Sequence, residues 1–424
     1  MRTGRGLGDP RPLLHIFIMG WFLLAGDASV AASLAAGLGM VQACAGVLAV
    51  RRFAARLPVP PGPRPPVTVL KPLHGDEPLL EAALATFFTQ DYPDYQLVFG
   101  VDDVHDPAVA VVARLRQRFP AADVALVVCE ALHGSNRKVS NLINMIGVAR
   151  HDWLVIADSD VHAAPDYLSS VVAELGRPDT GLVTALSVGL PATESLQERL
   201  AASQITYGFL PGVLMARALG RQDCLGITMA LRRETLDRAG GLEALADHLA
   251  DDNVLGGLVR AQGLTVRLAT TLPATTVADK TLAAGFEHEL RWARTIRTQA
   301  AAGYAASVLQ YPIAWACLAA ILSGGARGMV LVVALAWATR GLAGWQIDRM
   351  LRPLARGSGY VRALRSPFLL FPLREAMSVA VMVASYRTRR VVWRGHAMVA
   401  RRGPRGAPLI VRVPQPVAAI QPGP

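Results

Sequence analysis

Apolar and polar positions fall into three regimes along the chain. Residues 13–26 (LLHIFIMGWFLLAG) and 29–50 (SVAASLAAGLGMVQACAGVLAV) are almost unbroken apolar runs, separated at Asp27. The second is long enough to cross about 30 Å of hydrocarbon. The first reads as part of the same membrane region and not as a cleaved leader, because no small-residue cleavage site separates the two runs. RRFAAR follows, with three Arg, and places residue 51 onward in the cytosol. The proline-rich LPVPPGPRPP (57–66) then breaks any helix.

From Val67 the periodicity changes. PPVTVLKPL, YQLVFGVDD, VALVVCE and DWLVIADSD read as short buried strands. EPLLEAALATFFTQ, DPAVAVVARLRQRF and VSNLINMIGVAR between them carry helical spacing. This alternation predicts an α/β domain with a mostly parallel sheet over residues 67–300, and ligands at the polar strand ends. After residue 301 the chain is apolar again. Residues 304–323 and 328–346 read as two spans joined by a short Gly-rich turn. An Arg-rich loop (348–365) leads to the apolar segment 366–385, which contains Pro372, Arg374 and Glu375. Arg on both sides of that segment predicts that it lies on or dips into the membrane. The expected organisation is a tail (1–12), a membrane region (13–50), a linker (51–66), the cytosolic domain (67–300), two spans (301–346), a basic loop with the interfacial or re-entrant segment (347–400), and a disordered Pro/Gly-rich tail (401–424).

Composition sharpens this picture. Hydrophobic residues make up 52% of the 424 and mean hydropathy is +0.33. That is too apolar for an ordinary soluble enzyme and too polar for a many-span transporter. The net charge of +11 comes largely from Arg, because only Lys71, Lys138 and Lys280 among the 43 basic residues are Lys. It fits attraction to an anionic membrane face. No basic, aromatic-interleaved recognition module points to nucleic acid. The four scattered Cys (44, 129, 224, 317) form no metal-binding or disulfide pattern.

Acidic residues concentrate in three places. GVDDVHDP offers Asp102, Asp103 and Asp106 after a strand, and Asp106-Pro107 also reads as a helix cap. IADSDVH offers Asp158 and Asp160. On an extended chain residues two apart face one side, so these two carboxylates suit a hard cation, Mg²⁺ or Mn²⁺, together with substrate phosphates. HLADDNVLG offers Asp251 and Asp252 at a helix start, a position the helix dipole also favours. GSNRKVSNLINM puts Asn136, Arg137 and Lys138 before a helix whose free N–H groups suit phosphate. Finally, HELRWART (288–295) sets Glu289, Arg291, Trp292 and Arg294 just before the second membrane region.

The order and spacing of these clusters resemble the ceramide glucosyltransferase-like family of membrane glycosyltransferases. Its pattern is a lone Asp, a D-x-D-like site, a further Asp, and (Q/R)-x-x-R-W. The matching residues are Asp103, Asp158 with Asp160, Asp252, and His288 with Arg291-Trp292. Lys138, Asn141 and DCLGITMALRR also look like the family, and LKPLHG, LADD and HELRWART most resemble bacterial hopanoid-associated members. His288 departs from the usual Gln or Arg. The resemblance implies a GT-A fold, a UDP-sugar donor, a divalent cation on Asp158 and Asp160, and inversion at the anomeric carbon. It implies that Asp103, Lys138, Asn141, Asp158, His288 and Arg291 bind the donor. It makes Asp252 the catalytic base with Asp251 the runner-up, Arg291 a cation for the diphosphate, and Trp292 a wall of the acceptor pocket. The acceptor implied is a lipid alcohol reached from a bacterial inner membrane, with the catalytic domain cytosolic. The first candidate reaction is N-acetylglucosamine transfer to a bacteriohopanetetrol-type hopanoid, and the second is glucose transfer to ceramide. A processive polysaccharide synthase would need more spans than the chain offers, and a catalytically decayed scaffold would not keep every acidic position filled.

Overall fold

The structure, a computed structural model, describes residues 11–56, 62–355, 359–387, 390–393, 396–402 and 408–412, with side chains between 26 and 387. Its central sheet has seven strands: β1 (Val67–Pro72), β2 (Tyr95–Val101), β3 (Val124–Val128), β4 (Trp153–Ala157), β6 (Thr180–Thr184), β8 (Thr228–Arg232) and β9 (Thr265–Leu268). Their order is β3-β2-β1-β4-β8-β6-β9. β1, β2, β3 and β4 are parallel, β8 runs antiparallel to both β4 and β6, and β6 pairs parallel with β9. A small sheet of β5 (Val161–His162), β10 (Ala274–Val277) and β7 (Val188–Pro191) lies beyond the carboxyl end of β4.

Both faces of the large sheet are buried, which explains the continuous apolar runs. Val67, Val69, Leu97, Phe99, Val155 and Ala157 pack on one side with helix residues Val112, Leu115, Leu168 and Val171. The alternate residues Leu70, Val98, Leu154 and Ile156 pack on the other with Leu142, Met145, Leu255 and Val259. The α/β class and mostly parallel sheet expected from the alternation are therefore present. From β1 the chain builds outward through β2 and β3, then returns to place β4 on the other side of β1. The carboxyl ends of β1 and β4 flank this reversal, where open α/β sheets form their crevice.

One helix runs from Arg11 to Ala54, so Asp27 does not end the first apolar run as the sequence suggested. By length and composition, Gly26–Ala54, Arg327–Leu351 and Phe368–Arg387 are candidate membrane spans. The expected span at 304–323 is bent: Ala301–Gln310 and Pro312–Leu322 meet at 67°. Pro312 has no N–H, and Tyr311 before it leaves the helical region at φ −112°, ψ 64°. At the C-terminus, β11 (Arg390–Trp393), β12 (His396–Arg402) and β13 (Pro408–Arg412) form an antiparallel sheet. The tail expected to lack structure from 401 thus contains the end of β12 and all of β13; 403–407 and 413–424 lie outside the described residues, as do residues 1–10 of the expected N-terminal tail.

Candidate active site

The carboxyl ends of β1 and β4 bring together residues from four segments. Asp158, Ser159 and Asp160 form a turn between β4 and β5, not the extended strand that period-two reasoning assumed. The two carboxylates are nonetheless electrostatic neighbours. Burial, and then the charge of Asp158, push the Asp160 carboxyl up to about 6. Thr275 of β10 opposes this by donating its hydroxyl to Asp160 Oδ2 at 2.5 Å, and Thr276 N–H donates to the Asp160 carbonyl at 3.1 Å.

Two of the three lysines are at this turn. Lys138 Nζ lies 2.6 Å from Asp158 Oδ1 and 3.8 Å from Asp251 Oδ2. Burial works against its charge, but the Asp158 and Asp251 carboxylates outweigh it and hold its pKa above the ordinary lysine range. Lys71, on β1, is fully buried. Its ammonium donates to the Asp158 carbonyl at 2.7 Å and sits 3.7 Å from the Phe87 ring centroid. Burial pulls its pKa down to about 7, against the pull of Asp160, Asp158 and Glu77.

Asp251 and Asp252 open the helix Asp251–Ala261. Asp251 is buried and accepts from Asn136 Nδ2 at 3.4 Å. Burial raises its pKa while Lys138 pulls it down. Asp252 is partly exposed, accepts from Asn253 N–H at 2.7 Å through Oδ1, and faces Gly226, where an added Cβ would meet Oδ2 at 3.2 Å. Burial, then the charge of Asp251, push its carboxyl up to about 7. Asn136 caps the helix Arg137–Ile146 by accepting from Val139 N–H, and its amide also donates to the His248 carbonyl at 2.8 Å. The loop bearing Lys138 is thereby tied to the segment bearing Asp251.

The acids of the first cluster have separate partners. Asp106 caps the helix Pro107–Arg118 and also accepts from Gly75 N–H, so the capping reading holds. Asp102 accepts from Arg137 Nη2 at 2.8 Å, next to Lys138. Asp103 is exposed and accepts from His105 N–H in its own turn. Ligand atoms of His74, Asp102 and Asp106 lie within 4.8 Å of one another. Their carboxylates are already engaged by Arg137, Gly75 and Ala108. Asn141, another residue that the resemblance assigns to the donor, donates to the Gly100 carbonyl at 2.8 Å and pins the end of β2.

The HELRW residues stand on the helix Leu282–Gln299, capped by Thr281. His288 Nδ1 is 3.4 Å from Asp279 Oδ1, and its ring meets Trp292 edge-on at 4.5 Å. Asp279 follows β10, the strand that holds Asp160 through Thr275, so His288 is linked to the D-x-D turn through one strand. Arg291 is half-buried and Trp292 exposed. Sequence reasoning missed Lys71, Thr275 and Asp279 as parts of the site. A lysine inside an otherwise apolar strand was the available signal for Lys71; Thr275 and Asp279 had none.

Paired carboxylates, fixed ammonium groups and a partly exposed carboxyl near neutrality thus gather at the strand ends of an α/β domain flanked by helices long and apolar enough to cross a membrane. The model of glycosyl transferase family 21 matches residues 31–406, and the chain belongs to that family. A ceramide glucosyltransferase of Caenorhabditis elegans is 27% identical over 232 residues, 54% of this chain and 49% of the relative. One from Komagataella phaffii is 32% identical over 134 residues, 30% of this chain and 26% of the relative. The chain thus spans about half the length, or less, of these curated relatives. Among solved structures, the mannosyltransferase PcManGT of Pyrobaculum calidifontis, in complex with GDP-Man and Mn²⁺, has TM-score 0.47 at 19% identity, covering 86% of this chain and 99% of that one. Staphylococcus aureus TarS with UDP-GlcNAc has TM-score 0.36 at 14% identity, covering 81% and 98%.

Proposed function

We propose that this protein is a membrane glycosyltransferase of the GT-A type that moves a sugar from a UDP-sugar to a lipid alcohol with inversion. The observation that carries this reading is the Asp158–Lys138–Asp251–Asp252 cluster at the sheet's reversal, together with three helices among the described residues that are long and apolar enough to cross a membrane. Asp158 and Asp160 suit a hard divalent cation, Mg²⁺ or Mn²⁺, because burial and then the charge of Asp158 raise the Asp160 carboxyl, and a cation there would favour its charged form. Such an ion, when bound, stabilises negative charge on a leaving diphosphate. Lys138 and Arg291 add fixed positive charge toward the same diphosphate. Asp103 is retained as the residue that holds the uridine end.

The acceptor hydroxyl is a weak nucleophile and needs a base as the glycosidic bond forms. Asp252 is better suited than Asp251. Its carboxyl is partly exposed and held near 7, whereas Asp251 is buried against Asn136 and Lys138. Inversion takes one displacement, so no nucleophilic side chain is required. Trp292 is assigned to the acceptor side because its ring is exposed beside the apolar helices.

Two acceptors are proposed. The motif resemblance favours N-acetylglucosamine transfer to bacteriohopanetetrol, in a bacterial inner membrane with the domain cytosolic. The ceramide glucosyltransferase matches favour UDP-glucose and ceramide. The test is mass spectrometry of products from detergent-solubilised protein with Mn²⁺, pairing each lipid with UDP-glucose and UDP-N-acetylglucosamine. A glycosylated lipid is expected. UDP release with neither lipid modified refutes both acceptors, and no UDP binding in Mn²⁺ refutes the enzyme reading.

A further inference from the structure

Glu289, the acidic residue of HELRW, has no part in the chemistry above, yet it is 7% exposed and bonded to one partner. Arg374, 2% exposed and 85 residues away, donates to it through both arms, Nη1 to Oε1 at 2.6 Å and Nη2 to Oε2 at 2.7 Å. Arg374 also donates to the Leu200 carbonyl at 3.3 Å and to Ser378 Oγ at 3.0 Å. Its neighbour Glu375 accepts from Ile313 and Ala314 N–H at 2.8 and 3.1 Å, at the start of the helix after the 67° bend. Its other oxygen lies 3.0 Å from Arg340 Nε on the Arg327–Leu351 helix. Two successive residues of the Phe371–Arg387 helix therefore fasten it to the helix carrying His288, Arg291 and Trp292, to the segment at Leu200, and to two apolar helices.

A buried ion pair is poor evidence of stability, because desolvation offsets most of its attraction and apolar residues of similar size can replace it. What a two-armed guanidinium–carboxylate contact supplies is geometry. The rest of the seam between these two helices is Leu290, Ala293 and Val381, with Phe286 and Ala384 packed on them, and the Arg297 guanidinium over the Tyr386 ring; none of these contacts has the two-point geometry that resists sliding and rotation. Arg291 and Trp292 lie within one turn of Glu289, so any such movement reaches them directly.

We propose that Glu289 and Arg374 are a positioning couple that fixes the height and rotation of the HELRW helix relative to the Asp158–Asp252 cluster. The inference rests on the functional reading that Arg291 and Trp292 act in the site. The decisive variant is the double replacement Glu289→Met with Arg374→Met, which removes the fork without leaving an unpaired charge. Nitroxides replacing the exposed Leu132 and Ile296 report the distance between the domain and the helix by pulsed electron resonance, with or without a known acceptor. The expected result is a shifted or broadened distance distribution. Where the wild type glycosylates ceramide or bacteriohopanetetrol, kcat/KM for that lipid falls at least tenfold, UDP affinity falls by less because Lys138 still faces the diphosphate, and Arg374→Lys, which keeps charge but not the fork, falls between. An unchanged distance distribution overturns the proposal, as do unchanged lipid kinetics. A double variant that no longer inserts or binds UDP also overturns it, since the pair would then hold the fold and not aim a helix. Wild-type protein that glycosylates no lipid refutes the functional reading instead, and the distance measurement still decides whether the pair fixes the helix.

Discussion

Asp252 offers the sharpest test of the chemistry. Burial, then the adjacent Asp251, raise its carboxyl from 3.8 to about 7. At that value about half the molecules carry the base form at neutral pH. The lipid-transfer rate should therefore climb from pH 5.5 to 8 with an apparent midpoint near 7, because the base form accumulates as pH rises. Asp251→Asn removes the neighbouring negative charge, which eases ionisation of Asp252 and moves the midpoint down. A shift of half to one unit, about 0.7–1.4 kcal/mol, would raise the ionised fraction at pH 6 from about one tenth to between about one quarter and one half. The two carboxylates titrate as a pair, so the measured midpoint belongs to both. The assay is the initial rate of glycolipid formation at saturating donor across that pH range, with UDP affinity measured in parallel. Asp252→Asn should lower the rate by about 10²–10⁴-fold and leave UDP affinity nearly intact. An Asp251→Asn profile that stays put or moves up would refute the electrostatic argument, and substantial activity in Asp252→Asn would remove the base assignment.

Three further outcomes are expected. Asp160→Ala should weaken Mn²⁺-dependent UDP binding, while Thr275→Val, which removes one hydrogen bond to the same carboxylate, should weaken it by less, about 1 kcal/mol; unchanged binding in Asp160→Ala takes that residue out of the metal site. Lys71→Met should keep the volume of β1 but free the Asp158 carbonyl, lowering Mn²⁺–UDP affinity measured by calorimetry; an unaltered affinity would mean Lys71 serves packing alone. Gly100→Ala should destabilise by about 1–3 kcal/mol in thermal unfolding, because the new Cβ would strike Asn141 Oδ1 and lie 2.6 Å from Met145 Cγ; a wild-type melting temperature would show that this strand end yields easily.

Local pattern was enough for several features because their causes are local. Apolar runs announced the helices long and apolar enough to cross a membrane, since hydrocarbon demands length and composition together. Strands buried on both faces announced the sheet, since Val69 and Leu70 both need apolar neighbours on opposite sides. Asp106 before Pro107 announced a helix start, since capping involves residues two apart. The candidate site clusters were visible as acids at strand ends, together with the motif order.

What the tertiary structure alone decided are contacts between residues distant in sequence. The D-x-D carboxylates are neighbours across a turn steadied by Thr275, 115 residues on from Asp160, and by Lys71, 87 residues before Asp158. Burial also separates the two neighbouring acids at 251 and 252: Asp251 is locked to Asn136 and Lys138, while Asp252 stays partly exposed. The 1–4 residue interactions that make helices and turns are written in neighbouring letters, and the ion pair of Glu289 with Arg374 is not. A charged residue in an apolar segment reveals that it needs a partner, because burying it alone is costly, but only the packed chain decides which partner arrives.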